Sequence, residues 1–323
     1  MTQYITDRQA ADLLKQADNI LLLAHQYPDG DTLGNNYALC LALRSWGKRV
    51  RVLCGDPIPE KYDYMTADVD MPDFEPEFIC AVDVADSSLL GPQLQEAYGS
   101  RVDLCIDHHS TNVGYATQSL VDGGCAAAAM LVLRLIRLWD MELTPAIATC
   151  IYTAIATDTG CFKYANSNAE ALRMAADCMD VGIPHEMINR VNFDMKSRAR
   201  IELERMALDG MEFHHNGRVA IMTISNQMVA MSGADENDME GLPPIPRQIE
   251  GVWVGITLRQ KADGNYKVSV RTGTHANAAD VCVLLGGGGH NRAAGCTVVG
   301  TLEEAKAAVL KAAEQAIPRI ISG

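Results

Sequence analysis

Short apolar runs that end in ionisable residues recur along this 323-residue chain, and they narrow the folds open to it. The run from Asn19 to Ala24 empties into His25, Asp29 and Asp31. Phe78 to Val82 ends at Asp83, and Arg101 to Ile106 ends in Asp107-His108-His109. Runs of this length and composition read as buried strands. In α/β proteins such strands deliver their last residues to the sheet edge where ligands bind. Helix-favouring stretches lie between and after them: Asp7 to about Ala17 behind the capping box Thr6-x-x-Gln9, Asn35 to Trp46, Ala126 to Trp139, and Pro145 to about Ala156. Asp158 is expected on the loop that follows the last of these. A further helix opens at Ser167-x-x-Glu170 and stops near Gly182.

The second part of the chain changes character. The stretch 191–212 is charged and helix-favouring, and reads as a connecting helix. Beyond it strands dominate, at Arg218–Ser225, Val252–Gln260 and Tyr266–Thr272, the last two joined as a hairpin through Asp263-Gly264. A helix from Ala276 to Leu285 runs into four glycines and His290, and a strand near Thr297 and a helix capped by Thr301-x-x-Glu304 follow. The expected fold is α/β: an N-terminal doubly wound, mostly parallel sheet domain (1–190), a helical linker (191–212), and a smaller α/β C-terminal domain (213–323). Residues 56–77 are acidic and Pro-rich, and read as a long loop with one helical turn.

Composition restricts the partners. A net charge of −14 argues against long duplex nucleic acid, because counterion release favours basic proteins there. An anionic substrate of this chain should be short and held locally. No apolar run approaches the roughly 18–20 residues of a membrane helix, so no membrane partner is expected. The ten cysteines lack Cys-x-x-Cys spacing, and several lie within strand-like or helix-like runs. A reducing cytoplasm suits them better than a disulfide framework, and no export signal opens the chain. A homodimer is among the assemblies open to such a chain.

The ionisable residues carry the chemistry. Pro28 and Gly30 are expected to bend a loop so that Asp29 and Asp31 converge beside His25. One imidazole with two hard carboxylates suits a divalent ion such as Mn²⁺. Taken alone, a strand ending in Asp is commonly just a turn. Four segments ending in His25/Asp29/Asp31, Asp83, Asp107/His108/His109 and Asp158 are a different matter. Buried together without a cation, these carboxylates would repel and raise one another's pKa, and two divalent ions resolve that conflict.

The series His-x-x-x-Asp-x-Asp, strand-terminal Asp, Asp-His-His and Thr-Asp-Thr-Gly resembles the four motifs of the DHH phosphoesterase superfamily. The segment Gly286-Gly-Gly-Gly-His290-Asn-Arg292-Ala-Ala-Gly295 is similar to the signature of the DHH-associated C-terminal domain. The two-domain length resembles the bifunctional oligoribonuclease (nanoRNase) and 3′-phosphoadenosine 5′-phosphate (pAp) phosphatase branch. The resemblance implies two Mn²⁺ ions, with Mg²⁺ as an alternative. His25 and Asp29 would hold one, Asp31, His108 and Asp158 the other, and Asp83 would bridge them. It implies that His109 faces the scissile phosphate, that Asp107 orients a neighbouring imidazole, and that a metal-bridging water attacks phosphorus. Short RNA oligonucleotides and pAp would be the substrates, yielding nucleoside 5′-monophosphates or inorganic phosphate.

The C-terminal domain would recognise the substrate through Gly287, Gly288, Gly289, His290, Arg292 and Arg271. Glycines let backbone N–H groups approach a phosphate, and Lys267, Ser269 and Arg271 alternate onto one strand face. Two departures from the family pattern bear on substrate preference: Asn35 stands where many relatives carry a small hydroxyl residue, and Leu285 where an aromatic is common. His185, His214, His215 and His275 lie outside the motifs and receive no role. Hydrolysis of linear or cyclic dinucleotides is the enzymatic alternative, and a catalytically idle nucleotide-binding module the non-enzymatic one. The glycine-rich signature argues against a pyrophosphatase.

Overall fold

A computed structural model describes residues 2–67, 69–239 and 241–317. The chain divides into two compact units, Met1–Met195 and Lys196–Gly323. The last six residues expected in the C-terminal domain lie outside the described residues.

In the first unit the elements run β1 (Gln3–Tyr4), α1 (Asp7–Gln16), β2 (Ile20–Leu23), α2 (Gly30–Arg44), β3 (Val50–Leu53), α3 (Asp63–Thr66), β4 (Phe78–Val82), α4 (Pro92–Tyr98), β5 (Leu104–Asp107), β6 (Gln118–Val121), α5 (Ala128–Leu138), α6 (Pro145–Asp158), α7 (Ala169–Asp180) and α8 (His185–Asn189). Among the described residues six strands form one sheet in the order β1-β6-β5-β4-β2-β3. Every pairing in it is parallel. The strands are apolar throughout because both faces are covered. Ile20, Leu22, Cys80, Val82, Leu104 and Ile106 pack into the core beneath the large helices. Leu21, Leu23, Ile79, Ala81 and Cys105 pack on the other side, against Leu90 and Leu94. From β2 the chain passes outward to β3 and then back across to β4, so the order reverses between β2 and β4. Such a reversal opens a crevice at the strands' carboxyl ends.

Three expectations are corrected by the structure. The second helix begins at Gly30, five residues before the expected Asn35, and Asp31 lies in its first turn. Gly30 and Gly34 resemble helix breakers, but α6 lies against them. A Cβ on Gly34 would come within 2.4 Å of the Cys150 carbonyl oxygen, and one on Gly30 within 2.5 Å of the Thr157 side chain. Helix α6 likewise extends through Asp158, which closes its last turn instead of starting a loop. The helix expected behind Ser167 is capped by Asn168, whose side chain accepts from the Ala171 N–H. The sequence pattern does not mark strands β1 and β6 or helix α4, β1 being two residues long.

The second unit contains α9 (Arg198–Asp209), β7 (Glu212–His214), β8 (Val219–Ile224), α10 (Asn226–Ser232), β9 (Val254–Gln260), β10 (Tyr266–Thr272), α11 (Ala278–Val283), β11 (Gly288–Gly289), β12 (Ala293–Val298) and α12 (Leu302–Ala316). Its described strands form a mixed sheet, β11-β12-β10-β9-β8-β7, parallel only between β8 and β9. The 191–212 stretch is helical in two pieces: a π turn at Arg190–Asp194 ends the first unit, and α9 belongs to the second. There Leu203 and Ala207 pack on Met222 and Ile224 of β8. The opposite sheet face buries Val254, Ile256, Leu258, Val268 and Val270 with α11 and α12.

Candidate metal centre

The crevice between β2 and β4 gathers the ionisable ends of the strands. His25 follows β2. Asp29 caps α2, accepting from the N–H groups of Asp31 and Thr32 at 3.0 Å. A carboxylate suits that position, where unpaired N–H groups carry partial positive charge. Asp31 projects from the first turn of α2 and is itself a cap for α5, whose own cap residue, Ala127, offers no side-chain oxygen. Its Oδ2 accepts from the Ala128 N–H at 3.0 Å and its Oδ1 from the Asn35 amide at 3.4 Å. Asp83 leaves β4 in a left-handed conformation, φ +64°, a strained geometry for a residue with a Cβ.

Two imidazoles fix the centre. His108 Nδ1 lies 3.2 Å from the Cys125 carbonyl oxygen, and His25 Nδ1 lies 2.7 Å from that of Gln26. A carbonyl only accepts, so each Nδ1 carries a proton, and in the neutral ring each Nε2 presents a lone pair. Those lone pairs face carboxylates. His108 Nε2 is 3.5 Å from Asp83 Oδ1 and 3.8 Å from both Asp31 Oδ2 and Asp158 Oδ2. His25 Nε2 is 3.6 Å from Asp83 Oδ2 and 3.8 Å from Asp29 Oδ1. The two oxygens of Asp83 thus serve different imidazoles.

Two three-ligand clusters result, His25–Asp29–Asp83 and Asp31–His108–Asp158, each compact enough to hold an ion. A third grouping, Asp83–His108–His109, also meets the distance requirement. His109 fits it poorly as a ligand, because its Nδ1 is 2.8 Å from Asp107 Oδ1. A hydrogen bond to that carboxylate occupies the nitrogen that faces Asp83.

Electrostatics agree with the geometry. Burial first, then the neighbouring carboxylates, push Asp31 and Asp83 well above the usual carboxylate range. Burial and Asp29 bring Asp158 up to about 7. Burial, assisted by the nearby His109, lowers His108, favouring the neutral ring. Burial would also raise Asp107, but hydrogen bonds from His109 and Asn112 hold it below its ordinary value. Asp107 in return raises His109. The Oδ1 of Asp83, a residue only 4% exposed, has no hydrogen-bond partner among the described residues. Acceptors facing acceptors, with an unpartnered buried oxygen among them, fit a site for hard divalent cations.

All six expected ligands therefore converge with Asp107 and His109. Sequence reasoning missed the supporting groups: Asn112 on Asp107, Asn35 on Asp31, and Asn166, whose amide reaches Asp158 Oδ2 at 3.2 Å. No spacing rule marks such amides.

The other expected residues belong to the second unit. Lys267, Ser269 and Arg271 share the face of β10 away from α11 and α12. The Gly287 and Gly289 positions are tight, since a Cβ would come within 2.3 Å of the Gly295 carbonyl oxygen or 2.5 Å of the Ala294 Cα. Gly288 faces open space. His290 is exposed. Arg292 uses Nη1 to bind the carbonyl oxygens of Gly273 and Ala276, so part of its guanidinium fastens a loop.

Comparison with known proteins follows the same division. The family model "DHH family, N-terminal domain" matches residues 19–155, and "DHHA1 domain" matches 216–318. The chain is 32% identical over 320 residues to the bifunctional oligoribonuclease and PAP phosphatase NrnA of Thermus thermophilus, covering 97% of this chain and 94% of that protein. This chain belongs to the DHH family. Among solved structures, an exopolyphosphatase-related protein from Bacteroides fragilis shares the fold with a TM-score of 0.89 at 24% identity, with 97% of each chain covered. The Mn²⁺ complex of RecJ from Thermus thermophilus shares it more distantly, with a TM-score of 0.56 at 16% identity, over 95% of this chain and 55% of RecJ. The DHH match spans His25, Asp29, Asp31, Asp83, Asp107, His108 and His109 and ends three residues before Asp158, and the DHHA1 match covers the glycine turn of the second unit.

Proposed function

We propose that this DHH protein is a two-metal phosphoesterase that hydrolyses short oligoribonucleotides to nucleoside 5′-monophosphates and removes the 3′-phosphate of pAp. The observation that carries the reading is the facing of imidazole lone pairs and carboxylates across Asp83, an arrangement repulsive until cations enter it. His25, Asp29 and Asp83 would hold one ion, and Asp31, His108 and Asp158, with Asp83 shared, the other. Mn²⁺ is the preferred ion and Mg²⁺ the alternative. Two bound divalent ions would supply a nucleophilic hydroxide near neutral pH and offset phosphoryl charge. The raised pKa values of Asp31, Asp83 and Asp158 mean that loading displaces protons from these carboxyls.

His109 is the catalytic residue of the chain itself. With Nδ1 given to Asp107, its Nε2 is left to donate to a phosphoryl oxygen, and the raised pKa keeps a proton available there. Asp107, buried and doubly hydrogen-bonded, positions that ring. In the division of labour we assign, residues 1–190 perform the hydrolysis and 213–323 recognise substrate through Arg271, Gly287, Gly288, Gly289, His290 and Arg292. The full-length match to a curated oligoribonuclease and PAP phosphatase supports the substrate class. Such substrates, together with the reduced cysteines, suit a cytoplasmic enzyme. No helix among the described residues is long and apolar enough to cross a membrane.

The test is a panel with Mn²⁺: pAp, 5′-phosphorylated di- to pentaribonucleotides, cyclic dinucleotides and pyrophosphate. Turnover of pAp and the short RNAs is expected. Turnover of pyrophosphate alone would overturn the substrate class, and no turnover of any would favour the idle binding module.

A further inference from the structure

Trp253 lies just before β9, and two side chains pack on its ring. The Arg218 guanidinium lies 4.6 Å from its centroid, and the His275 imidazole stacks on it at 4.8 Å and 14°. His275 is exposed, so its outer face presents a flat π surface backed by an indole. The loop that carries it is tied to the glycine–histidine turn. The Thr272 N–H and hydroxyl donate to the carbonyl oxygens of Arg292 and Asn291 at 3.2 and 2.9 Å. The Ala278 N–H donates to Asn291 at 2.9 Å, and Arg292 returns its guanidinium to Gly273 and Ala276. The stack and the turn are thus one assembly within the second unit.

We infer that His275, backed by Trp253, is a nucleobase-stacking subsite of this unit. The inference rests on the reading of the glycine–His290 turn as a phosphate site and extends it to the base of the same nucleotide. A base stacks on an aromatic face whatever its identity, which suits an enzyme that must degrade short RNAs of mixed sequence and also accept the adenine of pAp. A preformed platform also lowers the ordering cost of binding.

The test uses the full-length Mn²⁺-loaded protein, titrated calorimetrically with 5′-AMP and with ribose 5-phosphate, which keeps phosphate and sugar but lacks the base. The wild-type protein should bind AMP more tightly by roughly 5- to 150-fold, the range that one base–aromatic stack supplies. His275→Ala should bring that ratio close to one, whereas His275→Phe, which keeps the flat face, should retain most of it. An AMP preference undiminished in His275→Ala, or one lost equally in both variants, overturns the inference. Equal wild-type affinity for both ligands overturns it too, while leaving the phosphate site intact. Failure of both ligands to bind the wild-type protein would instead overturn the reading of this unit as the recognition element.

Discussion

Replacing Asp83 with Asn separates a metal-bridging carboxylate from an ordinary buried polar residue. The substitution keeps the shape and removes the charge. Asp83 shares His108 Nε2 with Asp31 and Asp158, and His25 Nε2 with Asp29, so each of these carboxylates has an oxygen within about 7 Å of it. At an effective dielectric of about 20, one such pair of charges repels by about 2 kcal/mol. Because burial and these neighbours raise its pKa, Asp83 favours the metal-free fold below the ordinary carboxylate pKa of about 4 and loses that contribution as pH rises through its raised value. The variant cannot ionise and escapes this loss. In EDTA at a pH above that raised value, relief of one to two such repulsions, ~2–4 kcal/mol, should raise the melting temperature of the first unit by roughly 4–16 °C at ~2–4 °C per kcal/mol. With Mn²⁺ the order should invert. The wild type gains about 2.7 kcal/mol per site at a hundredfold excess over Kd, and the variant loses much of this. Differential scanning calorimetry in the two buffers reads both effects. A variant destabilised equally with and without Mn²⁺, or stabilised by Mn²⁺ as much as the wild type, would refute the reasoning.

Asp107→Asn removes the group that raises His109, so the alkaline limb of the kcat profile should move to lower pH while the Mn²⁺ stoichiometry is unchanged. His109→Ala should lower kcat by about 10²–10⁴-fold, also with metal content intact by elemental analysis. With its pKa brought up to about 7, Asp158 should favour the metal-free fold below the ordinary carboxylate pKa of about 4 and lose that contribution as pH rises through about 7. The thermal stabilisation by Mn²⁺ should accordingly be larger at pH 8 than at pH 5.5. Gly287→Ala should destabilise the second unit by about 1–3 kcal/mol in urea titration, because its Cβ meets Gly295 and Cys296. Gly288→Ala, facing open space, should leave the urea midpoint near wild type and instead raise KM for pAp.

The centre was legible because each strand that feeds it is uniformly apolar up to an ionisable end, as with Ile20–Leu23 before His25 and Phe78–Val82 before Asp83. The helical ligands were harder to place. Helix α2 is buried almost all round and shows no amphipathic period, so nothing in its sequence marks where it starts. Its glycines serve a close approach that only the folded neighbour reveals. The imidazole tautomers depend on the Gln26 and Cys125 carbonyls, backbone groups that side-chain spacing does not register. In the second unit, the sequence of the glycine run suggests freedom to approach a phosphate. At Gly287 and Gly289 that freedom is already used by the close approach of β12.

Helices α2 and α6 press together at Gly34 with almost nothing between them, and each contributes a carboxylate at the end nearest the crevice: Asp31 at the start of one, Asp158 at the close of the other. The gap available to an ion between those two oxygens is consequently dictated by the thickness of an interhelical seam. A methyl group inserted there would act as a shim, prising two ligands apart without altering either. How large a cation the proposed site would accommodate is therefore governed in part by a residue that has no side chain.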